Sequence, residues 1–159
     1  MAKVKKTNAL RQLDQRHIPY ELQTYDVSDG KIDGVSVAKK TEQPMDTIFK
    51  TLVLTDGKEA FVAIIPVAEA VDLKKVARLV GVKKLDLLPL SQLTKVTGYE
   101  RGGCSPIGMK KQLPTLLDQR AETLEEMIVS AGRIGMQMKV KVNDLVALTD
   151  ATIAPLTKQ

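Results

Sequence analysis

The 159-residue chain is sized for one domain and is long enough to bury a core. With 43% hydrophobic residues, 27% charged residues and a formal net charge of +5, it reads as a folded globular chain whose positive excess either attracts a polyanion or only aids solubility. Aromatic residues make up 3% with no Trp, which argues against an extended base-stacking platform, and one Cys with one His excludes an intrachain disulfide and a four-ligand zinc site.

The basic start, residues 1–6, is not followed by an apolar stretch of the signal-peptide kind, and no later run approaches the ~18 apolar residues of a membrane helix. Together with the lone cysteine this points to the cytoplasm, with no membrane partner. Thr7 or Asn8 can cap a first helix carrying Leu10 and Leu13, which ends before Pro19. Residues 20–25 alternate as a strand, Asp29-Gly30 and Asp33-Gly34 mark a loop, and Ser36 can cap a helix over 37–43. Residues 47–54 and 60–65 flank Asp56-Gly57 as a hairpin with a two-residue loop. Asp72 and Gly81 bracket a helix over 73–80, residues 82–87 are extended, and 91–96 form a brief helix. After a loop over 98–108, strands are expected at 114–117 and 126–130. A turn at Ala131-Gly132-Arg133 leads to an alternating strand over 136–142, and Asn143 caps a last helix through 148. This order implies a mixed α/β or α+β single domain over 1–159.

Lys50 lies in a strand whose two faces both look apolar, with Ile48, Leu52 and Leu54 on its own side and Phe49, Thr51 and Val53 on the other. An ammonium there must reach water, pair, or line a polar pocket. The run Gly102-Gly103-Cys104-Ser105-Pro106-Ile107-Gly108 is either a surface turn or a loop whose amides hold a ligand oxygen. It is not a phosphate loop, because Gly108-Met109-Lys110 lacks the spacing and the Ser/Thr. Cys104 and His17 could in principle be a nucleophile and its base, or a buried thiol and a helix-end imidazole. Ser130 is either a pocket hydroxyl or a turn cap. No carboxylate pair or metal box stands out, so neither a metal nor a cofactor is expected.

Four strings in order, Asp46-Thr47-Ile48-Phe49-Lys50-Thr51-Leu52, then Val71-Asp72-Leu73-Lys74-Lys75-Val76-Ala77, then 98–111 around Gly102-Gly103-Cys104-Ser105-Pro106-Ile107-Gly108, then Val129-Ser130-Ala131-Gly132, resemble the YbaK/EbsC family. These are free-standing aminoacyl-tRNA editing proteins similar to the insertion domain of prolyl-tRNA synthetases. The resemblance implies a mixed sheet partly closed as a barrel, flanked by helices. It implies deacylation of mischarged tRNA at the acceptor end, above all Cys-tRNA(Pro), by attack of the substrate's own thiol. Prolyl-tRNA synthetase is an implied partner, and the oligomeric state stays open between monomer and weak dimer. By the same resemblance, Lys50, Gly102 and Ser130 are the catalytic set. Tyr20, Phe49, Thr51, Gly103, Ser105, Pro106, Gly108 and Gln137 contact substrate. Gln137 departs from the family, which often carries an acid seven positions after the serine. That departure keeps two alternatives in view: editing of another amino acid such as alanine, and a nucleic-acid-binding regulatory protein of the same fold.

Overall fold

Helix α1 (Asn8–Gln15) buries Ala9, Leu10 and Leu13 at three- and four-residue spacing, which is the apolar stripe of an amphipathic helix. Thr7 caps it, accepting from the Leu10 N–H at 3.3 Å, and the same hydroxyl donates to the Ala131 carbonyl 124 positions away. A computed structural model describes residues 6–31 and 33–158; residues 1–5 of the basic start lie outside it.

The strands form two sheets. A three-stranded antiparallel sheet has the order β1 (Glu21–Thr24), β7 (Met136–Lys141), β6 (Glu126–Arg133). A five-stranded mixed sheet has the order β4 (Asp86–Leu87), β2 (Phe49–Thr55), β3 (Ala60–Pro66), β5 (Thr115–Asp118), β8 (Thr152–Ala154). Strands β3, β5 and β8 run parallel, and one parallel bridge, Ile48 to Ile128, joins the two sheets. The expected α+β single-domain architecture therefore holds, but neither sheet closes as a barrel.

The five-stranded sheet is covered on both sides. From β3, Val62 and Ile64 enter a large core with Phe49, Val53, α1 and the three-stranded sheet, while Phe61, Ala63 and Ile65 enter a second core. Helix α3 (Leu73–Val80) contributes Val76 and Ala77 to that second core. Two-sided burial explains why β3 reads as a continuous apolar run and not as an alternation. Helix α3 is framed as its sequence implies: Asp72 accepts from the Lys74 and Lys75 amides, each at 3.1 Å, and Gly81 takes the left-handed conformation at φ 79°.

Several boundaries differ from expectation. Helix α2 (Gly34–Thr41) is capped by Asp33, which takes the Ser36 amide at 2.9 Å, and not by Ser36. The β2–β3 loop holds four residues, because Thr55 pairs with Ala60 and Asp56 accepts from the Lys58 and Glu59 amides. Helix α4 (Leu90–Thr97) and helix α5 (Val142–Thr149) lack side-chain caps, so Asn143 lies inside α5. Only Asp86–Leu87 of the expected extended segment is strand. Ala131-Gly132 is not a turn: β6 runs on to Arg133 with a register shift between Ser130 and Arg133. Among the described residues, no helix is long and apolar enough to cross a membrane.

Candidate active site

Strand β2 is flanked by β4 only at Leu54 and Thr55. Beyond that short edge strand β2 has no strand paired along this edge among the described residues, and a cavity of about 690 Å³ opens against β6, β7 and the loop after α4. This size suits a small-molecule or nucleotide-end ligand. The cavity brings together Lys50, Phe49 and Thr51 from β2, Gly102 from the loop, Ser130 from β6 and Gln137 from β7. Six of the residues assigned to the site by resemblance, drawn from three separate parts of the chain, thus line one space.

Each side chain is set by its element. Lys50 is half-buried and shares the cavity lining with Arg101, an exposed residue at the mouth of the loop motif. The Asp33 carboxylate also lines it, but both its oxygens are engaged in capping α2, on the Ser36 amide and hydroxyl. Ser130 sits at the β6 irregularity, where its Oγ accepts from the Gly132 N–H at 3.1 Å, which leaves the hydroxyl hydrogen to donate. Ser130 pairs across the sheet with Gln137, which pairs with Gln23 on β1. The Gln137 Nε2 donates to the Gln23 Oε1 at 2.7 Å, and Gln137 is only 4% exposed. Thr51 Oγ1 is buried and has no hydrogen-bond partner among the described residues, a cost of about 1–3 kcal/mol.

The loop glycines divide into two kinds. Gly102, at φ 83°, lines the cavity. Gly103 and Gly108 instead meet protein backbone. A Cβ at Gly103 would lie 2.9 Å from the Ile134 nitrogen, and one at Gly108 would lie 2.8 Å from the Ala9 nitrogen. These two wedge the loop between α1 and the β6–β7 turn. Ser105 and Pro106 are buried and do not line the cavity; the Ser105 Oγ accepts from the Ile107 amide at 3.3 Å. Tyr99, also buried, donates its hydroxyl to the Ile107 carbonyl at 2.7 Å.

Tyr20 is not among the lining residues; its hydroxyl donates to Asp14 Oδ1 at 3.1 Å, and Tyr25 lines the cavity instead. Cys104 does line it, while His17 is exposed on the turn after α1 and does not. Burial pushes the Cys104 thiol up to about 11, outweighing a hydrogen bond with Thr97 that acts the other way, so at neutral pH it is a protonated thiol and a poor nucleophile. Residues missed at the sequence level are Arg101, Tyr25 and Gln23. Arg101 adjoins the loop motif and was within reach of a charge argument. Gln23 acquires its place only from strand register.

The profile of the aminoacyl-tRNA editing domain matches residues 33–148. A protein of Enterococcus faecalis described as "Putative Cys-tRNA(Pro)/Cys-tRNA(Cys) deacylase EbsC" is 43% identical over 99% of this chain and 98% of its own length. A proline–tRNA ligase of Burkholderia multivorans is 25% identical over 84% of this chain, which corresponds to 24% of the ligase. A crystal structure described as "a putative trans-editing enzyme for prolyl tRNA synthetase" superposes with a TM-score of 0.85 at 24% identity, covering 98% of this chain and 100% of the other, and so shares the fold. A cavity lined by three of the four motif segments, a full-length relative and a matching domain profile converge: the chain belongs to the aminoacyl-tRNA editing domain family, on its YbaK/EbsC branch.

Proposed function

We propose that the protein is an aminoacyl-tRNA deacylase that clears Cys-tRNA(Pro) in the cytoplasm. The observation that carries this reading is the single cavity joining Lys50, Gly102, Ser130 and Gln137 in a family of editing domains. Lys50 and Arg101 supply positive charge for the terminal phosphate and ribose of the acceptor end. The Gly102 backbone lies against the ester, and Ser130 donates a hydrogen bond to the ribose or the aminoacyl group. No protein nucleophile is required. The substrate thiol attacks its own ester carbonyl, the new C–S bond replaces the C–O bond, and the thiol proton ends on the tRNA 3′ oxygen. The products are cysteine thiolactone and uncharged tRNA. The protonated state of Cys104 agrees with a mechanism in which the reacting sulfur belongs to the substrate.

The test is a deacylation panel with tRNA(Pro) charged with Cys, Ala and Ser. Cysteine should be lost fastest, since alanine has no thiol and serine only a hydroxyl. Removing the Lys50 charge by Lys50→Ala should slow the reaction by about 10- to 100-fold, the worth of one charge-assisted contact. Intact ester on all three tRNAs after long incubation would overturn the proposal.

A further inference from the structure

We propose that Gln23, which does not itself line the cavity, is a positioning residue: it turns the Gln137 amide so that the carbonyl oxygen, and not the NH2, faces the bound aminoacyl group. This rests on the reading of the cavity as the aminoacyl-end site. Gln23, Gln137 and Ser130 form one cross-strand row over β1, β7 and β6. One hydrogen of the Gln137 Nε2 is given to Gln23 at 2.7 Å, while its Oε1 takes no hydrogen bond from a described residue and is not fully buried. Gln137 is 4% exposed, so the amide cannot turn to bulk water, and the side chain lines the cavity. Lys50 and Arg101 line the same space, and their charges favour the oxygen pointing inward.

The cavity therefore offers an acceptor at this point. An α-ammonium only donates, so it needs that acceptor. An α-hydroxyl both donates and accepts, so it is served by either orientation of the amide. Gln23 thereby governs recognition of the α-amino group without touching it. The engaged state of Asp33 leaves Gln137 as the lining side chain with an uncommitted carbonyl oxygen.

The test compares wild type with Gln23→Glu, which keeps an acceptor for Nε2, with Gln23→Leu, which removes it, and with Gln23→Lys, which can only donate. Gln23 is half-buried on the edge strand β1, and the lysine variant serves if the leucine one fails to fold. The probes are a non-hydrolysable adenosine carrying a cysteinyl group through a 3′-amide and its α-hydroxy counterpart, titrated by calorimetry. Gln23→Glu should bind the amine probe within about threefold of wild type. Gln23→Leu and Gln23→Lys should bind it about tenfold more weakly, the loss of one charge-assisted hydrogen bond, while binding of the hydroxy probe changes less than about threefold. Equal loss of both probes, no loss in the leucine and lysine variants, or failure of Gln23→Glu to keep the amine would each overturn the positioning role, even with wild-type deacylation intact. Wild-type protein that binds neither probe and deacylates no tRNA overturns the proposed function and this role with it.

Discussion

Replacing Gly103 with alanine places a methyl carbon 2.9 Å from the Ile134 nitrogen and 3.0 Å from the Cα and carbonyl carbon of Arg133. Those atoms belong to the end of β6 and the turn that follows, so no flexible side chain can swing away. Heavy atoms of this kind rest about 3.5–4.0 Å apart, and loop and turn must therefore separate by at least ~0.5 Å. Overpacking of this sort costs about 1–3 kcal/mol. For a domain of this length each kcal/mol lowers Tm by roughly 2–4 °C, so a fall of about 2–12 °C is expected. The displaced loop also carries Gly102, and the turn joins the strands holding Ser130 and Gln137. A 1 Å misplacement of reacting groups can cost ~10²-fold, so half of that predicts a rate loss of order tenfold. Thermal unfolding and single-turnover deacylation of Cys-tRNA(Pro) measure the two effects. The comparison is Gly57→Ala, strained at φ 100° in the β2–β3 loop with nothing within 4 Å of the added carbon. It should lower Tm and leave the rate alone. A Gly103→Ala protein with wild-type Tm and wild-type rate would refute the idea that this contact sets the loop.

Two further outcomes follow from buried groups around the same loop. Tyr99→Phe removes the donor to the Ile107 carbonyl, a loss of about 1–3 kcal/mol that should appear as a Tm drop of roughly 2–12 °C; an unchanged melting curve would show that another donor satisfies Ile107. The Cys104 thiol ionises at about 11 in the folded protein against 9.0 ordinarily. Between those values the unfolded chain holds fewer protons, so stability should fall as pH rises from 9 to 11, with no contribution below 9. Cys104→Ser should flatten that part of the curve and leave deacylation at pH 7 unchanged. Lost activity in this variant would make the thiol catalytic after all.

Local devices were the most legible part of the fold. Asp72 and Gly81 framed α3 because a cap and a left-handed stop act within a few residues of the chain. The two-residue hairpin failed for a local reason that competes with the Asp-Gly signal: the Asp56 carboxylate accepts two downstream amides and holds a wider loop. The turn expected at Ala131-Gly132 failed for a tertiary one. Gly132 is the close-contact point of Thr7 and Tyr99, where a Cβ would lie 2.9 Å from the Tyr99 ring, so its glycine signals packing within a strand and not a reversal of the chain. Strand β8 escaped notice because its three residues pair only with β5, more than thirty positions earlier.

The site shows the same division. Sequence alone marked Lys50 as an ammonium in an apolar strand and marked the Gly102 to Gly108 loop, and the motif order tied both to Ser130 and to an editing family. Those inferences draw on residue identity and spacing along the chain. Only the tertiary structure decided that Gly102 faces the cavity while Gly103 and Gly108 face protein backbone, that Tyr25 and not Tyr20 lines the space, and that Gln137 is held by Gln23. Gln23 and Gln137 are 114 positions apart, and strand register makes them neighbours. A one-residue slip would turn each to the opposite face. Contacts of that kind are properties of the assembled sheet, which no short stretch of sequence contains.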